Sequence, residues 1–181
     1  MTSLSSFANP ATYHILSYGT LLGSTVFQSF IGGIVAFRVL PRPQFSTLQK
    51  HTFPVFFALQ TITPLLMALT YPTGPFAFVR TSSPLAPSTD RVATWLIGTM
   101  VVSGAVNWVW VGPQTTEVMK LRKHQETRDG KKSYDAGPHS EEMRGLNKRF
   151  GVLHGVSSLV NLVGLVAMIW YGGVLGEGLR M

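Results

Sequence analysis

Between His14 and Arg38 lie 23 consecutive residues without Asp, Glu, Lys or Arg. A membrane-crossing helix needs about 20 mostly apolar residues, so this run alone is long enough to span a bilayer. The feature recurs three times: from about Phe53 to Tyr71, from Val92 to about Pro113, and from about Phe150 to Tyr171. Charged residues make up 13% of the 181, and the mean hydropathy is +0.23. A soluble domain carries about 25% charged residues. This deficit, concentrated in the apolar runs, excludes a disordered chain, a coiled coil and an ordinary soluble globule. The expected fold class is an all-α membrane protein. It forms a single transmembrane domain over 1–181, a four-transmembrane-helix bundle with spans at about 14–37, 53–71, 92–113 and 150–171.

The stops and starts agree with this division. Pro54 suits a first turn of the second span, and Pro64 should kink it. Ser88-Thr89-Asp90 is an N-cap run for the third. The polar stretch 114–149 reads as a helical cytoplasmic hairpin between spans 3 and 4. Residues 114–128 continue the third helix, the tip lies around Asp129-Gly130-Lys131-Lys132, and Ser140 caps a helix that leads into the fourth span. Nine of the 15 basic residues lie between 120 and 149. Three more, Arg38, Arg42 and Lys50, follow the first span, and only Arg80, Arg91 and Arg180 fall on the other side. Lys and Arg collect in cytoplasmic loops, so both termini, and the short Pro-rich loop 72–90, should face the lumen or exterior. No Lys or Arg precedes residue 38, which fits neither a cleavable signal peptide nor a mitochondrial transit peptide. The first apolar run is therefore expected to act as an uncleaved anchor.

The chain has no cysteine, which excludes disulfides, thiolate metal sites and thiol catalysis. Phosphate loops, His-Glu-x-x-His and the nucleophile elbow are missing. No enzyme activity, metal or cofactor is expected, and in so apolar a chain the basic patch points to a membrane surface rather than to nucleic acid. A membrane haem would need facing histidines at one depth. His51 and His154 are the nearest to such a pair, while His14 has no His partner on its side. Met67, Met100 and Met168 lie in the lumenal half of three helices, where gap-filling core outweighs soft-cation binding. Trp95, Trp108, Trp110, Trp170 and Tyr171 fall near span ends, as an aromatic belt would place them.

No carboxylate, Lys or Arg lies inside a span, but amides and hydroxyls do. At about 100° per residue, His14, Thr25, Gln28 and Gly32 share one face of the first span, with Gly19 and Gly23 opposite. Met100, Ser103, Asn107 and Gln114 share a stripe of the third. Asn147, His154, Ser157, Ser158 and Asn161 share one on the fourth. The second carries Gln60, Thr61 and Thr63. Converted to depth, Gln28, Gln60, Asn107, Ser158 and Asn161 fall in one layer of the cytoplasmic half. Such a layer either locks helix packing or lines a binding cavity.

Several blocks of the chain resemble the transmembrane protein 205-like family of small four-span membrane proteins. They are His14 with Gly19, Gly23, Phe27-Gln28-Ser29-Phe30 and Gly32; Phe37-Arg38-Val39-Leu40-Pro41-Arg42-Pro43-Gln44-Phe45; Phe53-Pro54-Val55-Phe56-Phe57; Asn107 through Gly112-Pro113-Gln114-Thr115-Thr116-Glu117-Val118-Met119; and Phe150-Gly151-Val152-Leu153-His154-Gly155-Val156-Ser157-Ser158 with Asn161. The resemblance implies a multi-pass protein of the endomembrane system or plasma membrane. A human member of that family is linked to platinum-drug resistance, with efflux proposed. In this cysteine-free chain only methionine sulfur would serve such a role.

Two functions compete. A small transporter or efflux component would use Gln28, Gln60, Asn107, His154, Ser158 and Asn161 as its intramembrane polar site. A structural or adaptor membrane protein would instead act through loop 114–149, with Lys120, Arg122, Lys123, Lys131 and Lys132 contacting anionic lipid headgroups or a cytoplasmic protein. Assembly into a homo-oligomer would strengthen either reading; Gly19 and Gly23 form either its contact face or a close-packing face inside the monomer.

Overall fold

The computed structural model describes residues 7–71, 74 and 88–178. Most of the Pro-rich loop 72–87, including Arg80, lies outside the described residues, as does Arg180. All regular structure among the described residues is helical. Helix α1 (Pro10–Val26) passes through a π-helical turn, π1 (Phe27–Gly32), into α2 (Gly33–Val39). Helix α3 covers Arg42–Leu69, and α4 covers Ser88–Ala105. A second π-turn, π2 (Val106–Val111), joins α4 to α5 (Gly112–Asp129), and α6 runs over Glu141–Gly178. Four continuous helices result, each long and apolar enough to cross a membrane: Pro10–Val39, Arg42–Leu69, Thr89–Asp129 and Glu141–Glu177.

The first helix starts at Pro10, four residues before the expected His14, because Asn9 accepts the Ala11 N–H at 3.0 Å and caps it. The second starts at Arg42 rather than near Phe53. Pro41 is its N-cap and Pro43 occupies its first turn, where a missing N–H costs nothing. Pro54 therefore sits well inside the helix instead of opening it. At the third, Ser88, Thr89 and Asp90 form the first turn rather than a cap before it. The hairpin follows expectation. The third helix runs on to Asp129, Gly130 (φ 63°) reverses the chain, and the Ser140 hydroxyl accepts the Met143 N–H at 3.2 Å.

The four helices pack as a ring, α1 on α3, α3 on α4, α4 on α6 and α6 back on α1, with α5 laid against the start of α6. At the end away from the hairpin a dry core gathers Leu21, Met67, Ala93, Ile97, Met100, Leu165, Met168 and Tyr171. Close approach is built from small residues. A Cβ on Gly104 would lie 2.7 Å from the Gln60 carbonyl oxygen. That carbonyl lacks its usual helical donor because residue 64 is proline. The outer surface is apolar: Trp95 is 76% exposed and Val109 72%. Large apolar side chains on the outside and amides within invert the soluble pattern, as expected where hydrocarbon is the solvent. The chain is a multi-pass membrane protein.

Candidate functional site

The centre of the bundle holds a hydrogen-bonded polar layer. Gln60 on α3 donates from Nε2 to Thr25 Oγ1 (3.1 Å) and to Asn161 Oδ1 (2.7 Å). Asn161 Nδ2 donates in turn to Ser29 Oγ (3.0 Å). One network thus ties α1 and π1, α3 and α6 together. Asn107, fully buried in π2, donates from Nδ2 to the Ser157 carbonyl at 3.2 Å. A carbonyl can only accept, so the amide nitrogen must face it. The side-chain oxygen is left buried with no donor among the described residues.

Both π-turns end the same way. The Gly33 N–H reaches back five residues to the Gln28 carbonyl, and the Gly112 N–H to the Asn107 carbonyl. The two amide-bearing positions of the first and third helices therefore sit at the two places where the helices widen. Widened turns of this kind recur at functional sites. At Gly112 a Cβ would stand 2.6 Å from the Asn107 oxygen, so glycine there is a requirement of the turn.

The structure brings together Gln60 and Asn161, with Asn107 beside them through Ser157. The other three expected site residues lie elsewhere. Gln28 turns to Gln49 on α3, donating at 3.4 Å. Ser158 is exposed and outside the network. His154 lies within about 20° of Asn161 around α6, seven residues away, yet it is exposed and stacks parallel on Phe150 at 6.0 Å. Two turns separate it from Asn161, and over that distance the α6 face has left the protein interior. The His51 ring nitrogen Nδ1 bonds to the Thr47 carbonyl on its own helix, and His154 is engaged with Phe150.

A second buried polar cluster escaped the sequence. His14, 1% exposed, puts Nδ1 2.9 Å from the Met67 carbonyl and Nε2 2.6 Å from the Tyr171 hydroxyl. The carbonyl accepts, so Nδ1 carries the proton and Nε2 receives the Tyr171 O–H. Tyr18 donates to the Met168 carbonyl at 3.1 Å, and Tyr71 donates to Asp90 at 3.1 Å. Tyr171 is wholly buried and does not belong to the aromatic belt. Trp95, Trp108, Trp110 and Trp170 are exposed, as a belt requires. The available signal was register: in an antiparallel pairing of the first and fourth helices, His14 and Tyr171 fall at one depth. Met67, Met100 and Met168 do converge, in the apolar core beside this cluster. Gly19 and Gly23 face outward, with nothing within 4 Å of an added Cβ.

The five basic residues of the hairpin are used differently from one another. Lys120 pairs with Glu117 (3.5 Å), Lys132 with Glu126 (3.8 Å), and Lys131 donates to the Pro138 carbonyl (2.8 Å). Burial raises the Glu126 carboxyl pKa. The Ser133 N–H and hydroxyl, with Lys132 and Arg122, outweigh that and hold it below the usual value. Lys123 is exposed. Arg122 is half-buried over the Phe150 ring, 4.5 Å from its centre, and burial pulls its pKa down against the opposing charge of Glu126. An open groove of about 620 Å³ runs between α5 and α6, lined by Leu121 and Leu146 together with Arg128, Arg149 and Glu142.

No solved structure matches this chain. A curated relative, the xanthocillin biosynthesis cluster protein D of Aspergillus fumigatus, is 31% identical over 178 residues, covering 97% of this chain and 95% of its own length. Residues 16–124 match the family described as Domain of unknown function (DUF4149). That span takes in most of the first helix, all of the second, most of the third, both π-turns and the amides Gln28, Gln60 and Asn107, and the chain belongs to this family.

Proposed function

We propose that the chain is a small membrane transporter or efflux component that handles its cargo at the polar layer of the bundle. The observation that carries this reading is the Asn107 side-chain oxygen, buried in a widened turn with no donor among the described residues. An acceptor left without a partner in a low-dielectric interior costs about 1–3 kcal/mol, and a cargo O–H or N–H would relieve that cost. The layer holds no charged group, so the fitting cargo is a small neutral molecule with a hydrogen-bond donor. Two further points support the reading. The chain resembles the transmembrane protein 205-like family, one human member of which has been proposed to act in efflux. Its Aspergillus relative is named for a biosynthesis cluster, a setting in which a membrane protein would move a small-molecule product or intermediate. In this reading the hairpin faces the cytoplasm, both termini face the lumen or exterior, and the membrane is that of the endomembrane system or the cell surface.

The test is a deletion strain complemented with wild type, Asn107→Leu or Gln60→Leu, each verified at the membrane. Untargeted mass spectrometry then compares small molecules in cells and medium. At least one compound should be retained in the deletion strain, released by wild type, and still retained with Asn107→Leu. Release by Asn107→Leu equal to that by wild type would refute the reading. The groove between α5 and α6 favours a second reading, an adaptor docking a cytoplasmic partner. In that case replacing residues 114–149 abolishes function, and the amide variants keep it.

A further inference from the structure

Three buried side-chain atoms among the described residues have no hydrogen-bond partner: Asn107 Oδ1, Arg122 Nε and Asn147 Oδ1. Two of them lie at the base of the hairpin. The antiparallel pairing of α5 with α6 sets Asp129 beside Ser140 (2.7 Å) and Arg122 over Phe150. It therefore brings Arg122 and Asn147 to one level. Arg122 makes no hydrogen bond or salt bridge among the described residues. Its neighbour Glu126 is taken up by Ser133 and Lys132. Asn147 spends its amide nitrogen on the Ser133 carbonyl (3.2 Å), which turns its oxygen away with no donor. An unsatisfied cationic donor and an unsatisfied acceptor thus lie within about one turn of each other along the hairpin.

The position of that place narrows what would fill it. Arg149 is the last charged residue before Glu177, so Phe150 opens the longest apolar part of α6. Arg122 and Phe150 then lie at headgroup level. Beyond them toward the membrane, Gly151 and Gly155 leave open space, and Val152 and Leu159 present an exposed apolar face. Arg149 and Lys148, both exposed, add positive charge at the same level. Guanidinium binds phosphate oxygens with a planar fork of donors, and a protonated phosphate oxygen donates back to an amide carbonyl.

We propose that Arg122 and Asn147 form a binding site for the phosphate monoester headgroup of an acidic membrane lipid, with its acyl chains lying along the open face of α6. Arg122 takes the phosphate oxygens and Asn147 Oδ1 takes the phosphate O–H. Phe150 holds the guanidinium in place from below. The site is separate from the amide layer, so loss of the transport reading leaves it standing, and the reverse is also true.

The experiment titrates the purified full-length protein in detergent with fluorescent phosphatidic acid and, in parallel, with fluorescent phosphatidylcholine. Phosphatidic acid should bind at least tenfold tighter. Arg122→Gln should erase most of that preference, and Lys50→Gln, which removes an exposed cation on α3, should keep it. If the thermal transition of Arg122→Gln shows that it does not fold, Asn147→Asp serves instead. It puts a carboxylate against the phosphate and should likewise weaken phosphatidic acid selectively. Equal affinity for the two lipids overturns the proposal, as does an equal effect of Arg122→Gln and Lys50→Gln. Displacement of the lipid by an equal concentration of inorganic phosphate would give the site to the free anion and overturn the lipid assignment.

Discussion

Gly112→Ala tests whether π2 is held open by the sequence or merely tolerated. The Gly112 N–H bonds to the Asn107 carbonyl, and an added Cβ would sit 2.6 Å from that oxygen. The shortest separation real Cβ atoms show is 3.0 Å, so something must move by at least 0.4 Å. The obstructing atom is backbone and cannot swing aside. Overpacking of this kind costs about 1–3 kcal/mol, and weakening the hydrogen bond adds about 1 kcal/mol. Alanine returns up to about 1 kcal/mol through its better helix propensity. The net expectation is a loss of about 1–3 kcal/mol. Gly33 supplies the control. It closes π1 in the same relation to Gln28, but its Cβ would stand 3.1 Å from the carbonyl oxygen. A shift of a few tenths of an ångström suffices there, and propensity offsets much of its cost. Equilibrium unfolding of the two variants in mixed micelles should rank Gly112→Ala well below Gly33→Ala, with the latter close to wild type. A Gly112→Ala protein as stable as wild type would show that the turn reverts to α-helix without penalty. The placement of Asn107 at a required widening would then be wrong.

Gln60→Leu removes two interhelical hydrogen bonds. At about 0.6 kcal/mol each inside a membrane it should lower stability by roughly 1 kcal/mol in the same assay, and no change would mean the layer contributes nothing to packing. Tyr171→Phe leaves His14 Nε2 without its partner in a dry core and should cost about 1–3 kcal/mol, whereas Tyr134→Phe, on the exposed hairpin tip, should cost nothing measurable. Glu126 has a depressed pKa in the folded hairpin. Its contribution to stability is therefore fully present above the unfolded carboxylate value of 4.5 and is lost as the pH falls through the lower folded value. The protection factor of the Ser133 amide, its exchange rate relative to the intrinsic rate at each pH, should fall over that window in wild type and stay constant across it in Glu126→Gln.

The bundle was readable from sequence because bilayer thickness sets a length that composition alone can reveal, and because the hairpin carries its own caps at Ser140 and Gly130. Helix starts were less so. A proline near the first turn and a proline inside a helix look alike in sequence, and Pro43 proved to be the former while Pro54 was the latter. The π-turns gave no compositional signal. Their mark is an amide followed five residues later by glycine, at Gln28 and Gly33 and at Asn107 and Gly112, and only a close approach to a carbonyl distinguishes those glycines from small residues at a helix crossing.

The polar layer shows where the helical wheel stops informing. A wheel assigns each side chain an angle about its own axis and says nothing of how far the neighbouring helix has drawn away. Asn161 and His154 share an angle on α6, and yet one bonds to two other helices while the other faces outward. The α1–α6 seam is tied at His14 to Tyr171, at Tyr18 to the Met168 carbonyl and at Ser29 to Asn161. Toward the hairpin, α2 packs on α3 and α6 packs on π2 and α5. The stripe on α6 that faces α1 at Asn161 consequently opens outward by His154, before Phe150 packs under Arg122 of α5. An opening of that kind at one end of a closed polar layer is what a lateral route from the bilayer requires. On the transport reading proposed above, His154→Phe, which keeps the stack on Phe150 and removes the ring nitrogens, should alter release of the compound while leaving the melting temperature unchanged. An unaltered release would confine the route to the space between the helices and leave the outward stretch of α6 to lipid alone.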